Sequence, residues 1–276
     1  MIMLGSSMRS LTVLSFLALC AVLSACSPLT PGSDAAVETE CFLPMDQAKT
    51  LAGHWEALPI PIAFEAGDSG FEDSEVAEMV LAVDTWNKFY KASLGIEKVL
   101  DYGEDPSNPN IASGTRPTSV CSTGIVSGGS FTGKVNVFLH TVWPYSNHDQ
   151  MALTTFCPSP AAPLNRFFMA IMEFNYQDFF TEESERFPDL RSVFLHELGH
   201  LLGLDHSCDL RSKDGFPLCS DTTIDSNYLN AVMFPSFSFS GGVGEKKRRL
   251  RSNDQTRANC LYLDQATTDS TTSTSN

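Results

Sequence analysis

The stretch VFLHELGHLLGLDHS, Val193–Ser207, places three histidines and one glutamate in an otherwise apolar segment. With helical periodicity, three leucines share one stripe that can face a core: Leu195, Leu198 and Leu202. His196 and His200 are four residues apart, so they project from another face of the helix, one turn from each other. Both imidazoles can therefore bind one metal ion.

The rest of this stretch completes a predicted catalytic site. Glu197 lies beside the two histidines, offset so that it can touch a metal-bound water instead of the metal. Gly203 can adopt a positive φ, which would end the helix and let His206 return as a third ligand. Three imidazoles with an open fourth position are typical of catalytic zinc, because structural zinc normally has four protein ligands. We therefore predict His196, His200 and His206 as metal ligands and Glu197 as the catalytic residue.

The pattern H-E-x-x-H-x-x-G-x-x-H would occur by chance in roughly one chain in ten thousand of this length. It resembles the zinc motif of the metzincin metalloproteases, which also carry a Met-turn beneath the metal. The segment NAVMFPSF, Asn230–Phe237, matches that turn, with Met233 at the methionine position. Ser207 after the third histidine and Pro235 in place of a tyrosine resemble the matrixin branch, and Leu23-Ser24-Ala25-Cys26 resembles the lipobox of a bacterial lipoprotein form.

This resemblance implies an endopeptidase that hydrolyses peptide bonds with a zinc-activated water, Glu197 acting as general base. It implies one catalytic zinc ion, protein or peptide substrates and a monomer, whereas no motif supports calcium. Because Pro235 replaces the tyrosine, zinc would stabilise the oxyanion alone. Two alternatives stay open: a catalytically silent envelope lipoprotein that binds peptides or metal on the same fold, and a structural zinc protein.

The pattern of elements predicts an α+β domain. The resemblance implies a metzincin-like catalytic domain with a twisted, mostly parallel β-sheet, a helix carrying HExxH, and a C-terminal lobe with the Met-turn and a final helix. Apart from the histidine helix, the predicted helices are 71–93 and 252–263. The predicted strands are 54–65, near an edge, and 96–103, 134–143, 151–157 and 166–175. The resemblance implies that 151–157 is the exposed strand beside the cleft, with 166–175 as the alternative.

Both ends of the chain are predicted to lie outside the domain at 41–264. Residues 1–25 read as a lipoprotein signal peptide, since a short apolar run precedes Leu23-Ser24-Ala25-Cys26, which resembles a lipobox. Lipid on Cys26 would anchor an exported protein at the cell envelope, in the outer membrane if the cell is Gram-negative. The alternative is an ordinary secretory signal. Residues 26–40 are predicted as a flexible tether and 265–276 as a disordered polar tail.

After removal of the signal and lipidation, six cysteines remain: Cys41, Cys121, Cys157, Cys208, Cys219 and Cys260. An even number in an exported chain predicts disulfides, and Cys208 with Cys219 is the most local of the pairings. A zinc–thiolate site is the alternative, although no CxxC pair exists. Either Cys41 or Asp34 could instead cap the catalytic zinc as a latency device, with a disulfide favoured for Cys41.

The charge of −15 excludes nucleic acid as the main partner, because phosphate binding needs a cationic face. The basic run at 245–251 is interpreted as a solvated helix start or loop, with an anion-binding patch as the alternative. His140, His148 and Asp149 lie where a second metal site could form, but their spacing favours unrelated roles.

Overall fold

The computed structural model describes residues 37–47, 49–65, 70–103, 109–112, 135–159 and 164–269, which belong to one compact unit, Ala36–Asn276. Its strands are β1 Gly53–Trp55, β2 Ile60–Phe64, β3 Leu100–Asp101, β4 Val135–His140, β5 Ala152–Ser159, β6 Asn165–Asn175, β7 Phe239–Ser240 and β8 Val243–Gly244. Its helices are α1 Asp73–Leu94, α2 Leu190–Leu202, α3 Ser226–Leu229 and α4 Ser252–Asp269, and a 3₁₀ turn lies at Met45–Gln47.

Strands β1 to β6 form one sheet in the order β1-β6-β4-β2-β3, with β5 also paired to β6. β1 and β4 pair in parallel with separate parts of β6, and β2 pairs in parallel with both β4 and β3. Only β5 is antiparallel to its neighbour in this sheet of described strands. The predicted α+β fold with a mostly parallel sheet and a helix carrying the histidines is thus confirmed.

The exposed strand is β5. Residues Ile171 to Phe174 of β6 pair with β4 and also with β5, so β4 and β5 must lie on opposite edges of β6. Among the described residues, the outer edge of β5 has no strand partner. This choice between 151–157 and 166–175 was open in the sequence, and the pairing of β6 on both edges decides it.

Helices α1 and α2 pack against each other over one face of the sheet, and two tryptophans donate hydrogen bonds to backbone carbonyls of α2. The indole nitrogen of Trp86 in α1 donates to the carbonyl of Leu195 at 3.1 Å. That of Trp55 in β1 donates to the carbonyl of Leu201 at 2.6 Å. Both rings are fully buried, and burial of each large apolar side chain stabilises the fold by about 1.5–3 kcal/mol. The helix that carries the histidines is therefore a rigid part of the core.

Two predicted elements differ from the structure. The single strand at 54–65 is instead β1 and β2, separated by residues 56–59, and β2 lies one strand in from the edge. Pro61 is tolerated in β2 because the N–H of Ile60 donates to Val99 on the β3 side. The nitrogen of Pro61 therefore faces the other side, where pairing with β4 begins only at Ile62. The final helix extends to Asp269, with a break at Tyr262, since no glycine or proline follows Leu263 to stop it. The predicted disordered tail at 265–276 stays a prediction.

The basic run at 245–251 is a loop that is solvated only in part: Lys246, Arg249 and Arg251 are exposed, whereas Lys247 and Arg248 pack against the protein. The Nζ of Lys247 lies over the Phe234 ring and within 3.4 Å of the Ala231 carbonyl oxygen, with an exposed side-chain fraction of 11%. Arg248 forms an ion pair with Asp189, the residue that caps α2. The run therefore packs against α2 and the segment around Met233, which sequence periodicity did not show.

Two disulfides join described cysteines: Cys41–Cys260 and Cys208–Cys219. The first fixes the N-terminal segment to α4, where the backbone N–H of Phe42 also donates to Thr256. A zinc cap by Cys41 is therefore wrong, because its sulfur is bonded to another sulfur. The second is the local pairing predicted from the sequence.

Several predicted features lie outside the described residues: the signal peptide, the lipobox at Leu23–Cys26, most of the tether with Asp34, Cys121, and the end of the tail. Within the described part of the chain, no helix has the length and apolar character needed to cross a membrane.

Candidate metal centre and active site

Helix α2 begins and ends at residues that fix its histidines in place. Asp189 precedes the helix and accepts a hydrogen bond from the backbone N–H of Ser192 at 3.1 Å, which satisfies a free donor of the first turn. Gly203 ends the helix with φ of 117°, and a Cβ there would lie 1.9 Å from the carbonyl oxygen of Gly53. Only glycine fits this turn, which reverses the chain toward His206.

The structure brings the three predicted ligands together. One nitrogen from each of His196, His200 and His206 lies within 4.8 Å of the other two. The Nε2 atoms of His200 and His206 are 3.3 Å apart. Nδ1 of His196 is 2.7 Å from the carbonyl oxygen of Val232, and Nδ1 of His200 is 2.8 Å from that of Leu204. In both His196 and His200 the Nδ1–H therefore donates to a carbonyl. This leaves Nε2 of each of these two rings as the nitrogen whose lone pair can bind a metal ion.

Electrostatics favour the neutral form of these rings. Burial lowers the pKa of His196 well below the usual range for histidine, and His200 and His206 lower it further. Burial and the neighbouring His200 lower the pKa of His206 to about 3. Both rings are thus uncharged at neutral pH, which is the state that binds a metal ion.

Glu197 lies against the edge strand, with an exposed fraction of 6%. Its Oε2 accepts a hydrogen bond of 2.6 Å from the hydroxyl of Thr154 in β5. Burial raises the pKa of the Glu197 carboxyl, while His200 and the Thr154 hydroxyl act in the opposite direction. A carboxyl group with a raised pKa that stays close to the cluster is suited to take up and release protons.

Met233 lies against α2 at Gly199, between His196 and His200 in the helix. Its backbone N–H and that of Val232 donate to the two oxygens of the Asp254 carboxylate, at 3.0 and 2.9 Å. Asp254 is fully buried, and this burial raises its pKa. The segment around Met233 also supplies the Val232 carbonyl that orients His196, so α4 holds one ligand in place through this turn.

A second buried network, which sequence reasoning missed, fixes the loop of the third histidine. Arg257 in α4 donates from Nη1 to the carbonyl oxygen of Asp205 at 3.0 Å and from Nε to Asn253 Oδ1 at 3.1 Å. Gln47 accepts from Asn253 Nδ2 and donates from Nε2 to the carbonyl oxygen of Ser207 at 2.9 Å. No motif marks these residues, because the contacts join segments that are between 52 and 206 residues apart in the chain.

The site opens into a cleft of about 790 Å³. One wall is β5, and the opposite wall is formed by Pro235, Ser236 and Phe237 after Met233. Val193 of α2 lines the cleft beside His196 and Glu197, and Leu210 and Arg211 lie at the end nearest His206. The polar centre is therefore reached from solvent along an exposed strand.

The structure does not bring the other candidate histidines together. His140 Nε2 lies 2.9 Å from Glu173 Oε1, and His148 Nδ1 lies 2.8 Å from Asp178 Oδ2. Asp149 forms an ion pair with Arg186. Among the described residues, the only group of three or more potential ligands close enough to hold a metal ion is the triad on α2 and its following loop.

The donor set fits zinc. Three imidazoles, of which His196 and His200 have Nδ1 held by a backbone carbonyl, match the usual zinc–histidine arrangement. In the described residues no fourth histidine, cysteine or carboxylate joins the group, as expected for a site with an open position. A closed structural zinc site would need that fourth ligand.

The comparisons with known proteins agree with this chemistry. The sequence model of the Matrixin family matches residues 130–213, a segment that includes β4, β5, β6, α2 and the third histidine. No curated protein matches the chain significantly. The match and the histidine triad within it support a zinc metalloprotease, and over residues 130–213 this chain is matrixin-like.

Proposed function

We propose that this protein is a zinc-dependent endopeptidase that cleaves extended protein or peptide substrates. One observation carries the proposal: three imidazoles with converging nitrogens lie next to a buried glutamate on an open cleft. This arrangement combines a Lewis-acid site with a proton acceptor, which is what hydrolysis of an unactivated amide requires.

His196, His200 and His206 would hold the zinc ion, and Glu197 would move the proton. When bound, zinc polarises the scissile carbonyl and lowers the pKa of water. The Glu197 carboxylate takes one proton from the attacking water and passes it to the nitrogen of the leaving amine. Its burial favours this exchange, because a carboxyl with a raised pKa is a better base.

The exposed edge of β5 would bind the substrate. An extended peptide can add to a free strand edge through main-chain hydrogen bonds, which places its backbone beside Glu197. The side chain after the scissile bond would enter the space between Val193 and the wall formed by Pro235 and Phe237. These walls are mainly apolar, so we expect cleavage before apolar residues.

The alternative is a catalytically silent protein that binds peptides or metal at the same cleft. The presence of Glu197 in hydrogen-bonding contact with the edge strand argues against it, because a pure binding site does not need a proton acceptor there.

The test compares the full-length protein with its Glu197→Gln variant. We expect both to bind a single zinc ion, measured by mass spectrometry, since Glu197 is not a ligand in the proposal. The wild type should cleave a quenched peptide library in a hydroxamate-sensitive manner, and the variant should lose about 10²–10⁴-fold of that activity. Zinc without cleavage would favour the binding protein, and equal cleavage by both would refute a proton-transfer role for Glu197.

We further propose that the chain is exported and anchored at the cell envelope by lipid on Cys26. The support is the apolar run that precedes Leu23–Cys26 and the small residues before the cysteine. Metabolic labelling with a fatty-acid analogue should mark the wild type and not Cys26→Ala. A secreted, unlabelled wild type would instead favour an ordinary signal peptide.

A further inference from the structure

A threonine of the edge strand contacts the proposed proton acceptor directly. Thr154 Oγ1 donates a 2.6 Å hydrogen bond to Glu197 Oε2 and lies 3.4 Å from the Glu197 carbonyl oxygen. Among the described residues, the side-chain hydrogen bond to the Glu197 carboxylate comes from Thr154 and is made to Oε2, not to Oε1. The two carboxylate oxygens therefore differ: one is held by β5 and the other is left for a reacting molecule.

The direction of Thr154 follows from its place in the strand. Side chains alternate between faces along β5, and Ala152, Thr154 and Phe156 face α2 and the cleft. Cys157 packs with Ile171 on the opposite face, the side to which Thr155 also points. A β-branched side chain has restricted χ1 freedom, so the hydroxyl of Thr154 is held in a fixed direction.

We propose that Thr154 is a positioning residue for hydrolysis: its hydroxyl fixes Oε2 of Glu197, so that Oε1 points to the attacking water. The inference rests on the proposed peptidase function. Because Thr154 also belongs to the strand that would bind the substrate, it links the position of the substrate backbone to that of the proton acceptor.

A hydrogen bond to a buried carboxylate could serve folding alone, so the test must separate orientation from stability. Thr154→Val keeps the shape of the side chain and removes the donor, whereas Thr154→Ser keeps the donor and removes a methyl group. Thr155→Val makes the same chemical change one residue along, on the face away from the cleft, and serves as the matched control.

The experiment measures kcat, KM and bound zinc for the full-length wild type and the three variants, with one peptide selected from the library. For Thr154→Val we expect kcat to fall about tenfold, KM to stay within about twofold and zinc to be unchanged, because orientation of the base affects the chemical step. Thr154→Ser should keep kcat within about threefold of the wild type, and Thr155→Val should match the wild type. A wild-type kcat in Thr154→Val, or an equal loss in Thr155→Val, would overturn the inference while leaving the peptidase function intact.

A second readout does not depend on turnover. The infrared difference between each protein and its Glu197→Gln derivative isolates the carboxylate bands of Glu197. These bands should move in Thr154→Val and stay in place in Thr155→Val and Thr154→Ser. If the wild type cleaves nothing, the proposed function fails, and this spectrum still decides whether Thr154 holds the carboxylate: unmoved bands would refute the contact.

Discussion

The sulfur of Met233 lies against the backbone of Gly199, so close that a Cβ on residue 199 would be 2.2 Å from it. Gly199 is the residue before His200, so this contact lies next to one of the predicted metal ligands. A glycine inside a helix costs about 0.5–1 kcal/mol relative to alanine. Here the absence of a side chain allows the turn that carries Met233 to approach the helix.

We predict that Gly199→Ala destabilises the protein by about 1–3 kcal/mol, because the added methyl group overlaps the Met233 sulfur in a packed core. Met233→Ala should cost about 2–5 kcal/mol through the cavity that it leaves. In the double variant the methyl group fills part of that cavity, so the two losses should not add. Urea unfolding of the four proteins measures the coupling, and additive losses would show that the two residues do not interact.

We predict that Gln47→Met weakens zinc binding about tenfold, although Gln47 does not contact a histidine. The change leaves the buried carbonyl of Ser207 and the amide of Asn253 without partners, so the loop that carries His206 loosens. Competition with a chelator measures the affinity. Met45→Ala is the control, because Met45 is 95% exposed in the same turn and should leave affinity unchanged; an equal effect of both substitutions would contradict the prediction.

The Asp189–Arg248 pair predicts a pH dependence of stability. Burial opposes ionisation of Asp189, but hydrogen bonds from Arg248 and Ser192 outweigh it, so its pKa is lowered. A carboxyl with a lowered folded-state pKa contributes stability above its unfolded pKa of about 3.9, and this contribution is lost as pH falls through the folded value.

Asp189→Asn should keep the helix cap, since asparagine caps as well as aspartate, and lose only the charge. We expect it to lower the free energy of unfolding by about 1 kcal/mol at pH 7, with the difference shrinking below about pH 4. Urea titrations in the presence of a chelator keep zinc release out of the measurement. Arg248→Met removes the other partner of the ion pair, so it should lower the free energy of unfolding at pH 7 with the same pH dependence. A loss of stability that stays constant from pH 7 to pH 3 would exclude the ion pair as its source.

The two disulfides that join described residues, Cys41–Cys260 and Cys208–Cys219, should differ in their contributions to stability. Cys41–Cys260 closes a separation of 219 residues and Cys208–Cys219 one of 11. The chain-entropy argument gives about 5.4 kcal/mol for the long loop and about 3 kcal/mol for the short one. Double serine variants compared by urea unfolding test this order. Because Leu210 and Arg211 line the cleft, the loss of Cys208–Cys219 should also change peptide preference, whereas loss of Cys41–Cys260 should not.

The order and type of the main elements could be predicted from the sequence, because hydrophobic periodicity reports which face of an element is buried. Helix α1 and strands β4, β5 and β6 lie close to their predicted bounds. The division of 54–65 into two strands could not be predicted, since β1 and β2 pair with different partners that are distant in the chain. The inward-facing Lys247 was missed for the same reason: its carbonyl and aromatic partners come from another segment.

The sequence by itself determined the identity and spacing of the metal-ligand candidates, because helical geometry places His196 and His200 one turn apart and Gly203 permits the return to His206. Only the tertiary structure decided which strand forms the edge of the cleft, that Thr154 contacts Glu197, and that Gln47 and Arg257 hold the third histidine's loop. The physical reason is the distance along the chain between the residues in contact. The spacing of the histidines follows from the backbone of one helix, whereas the other contacts form only when the core has brought remote segments together.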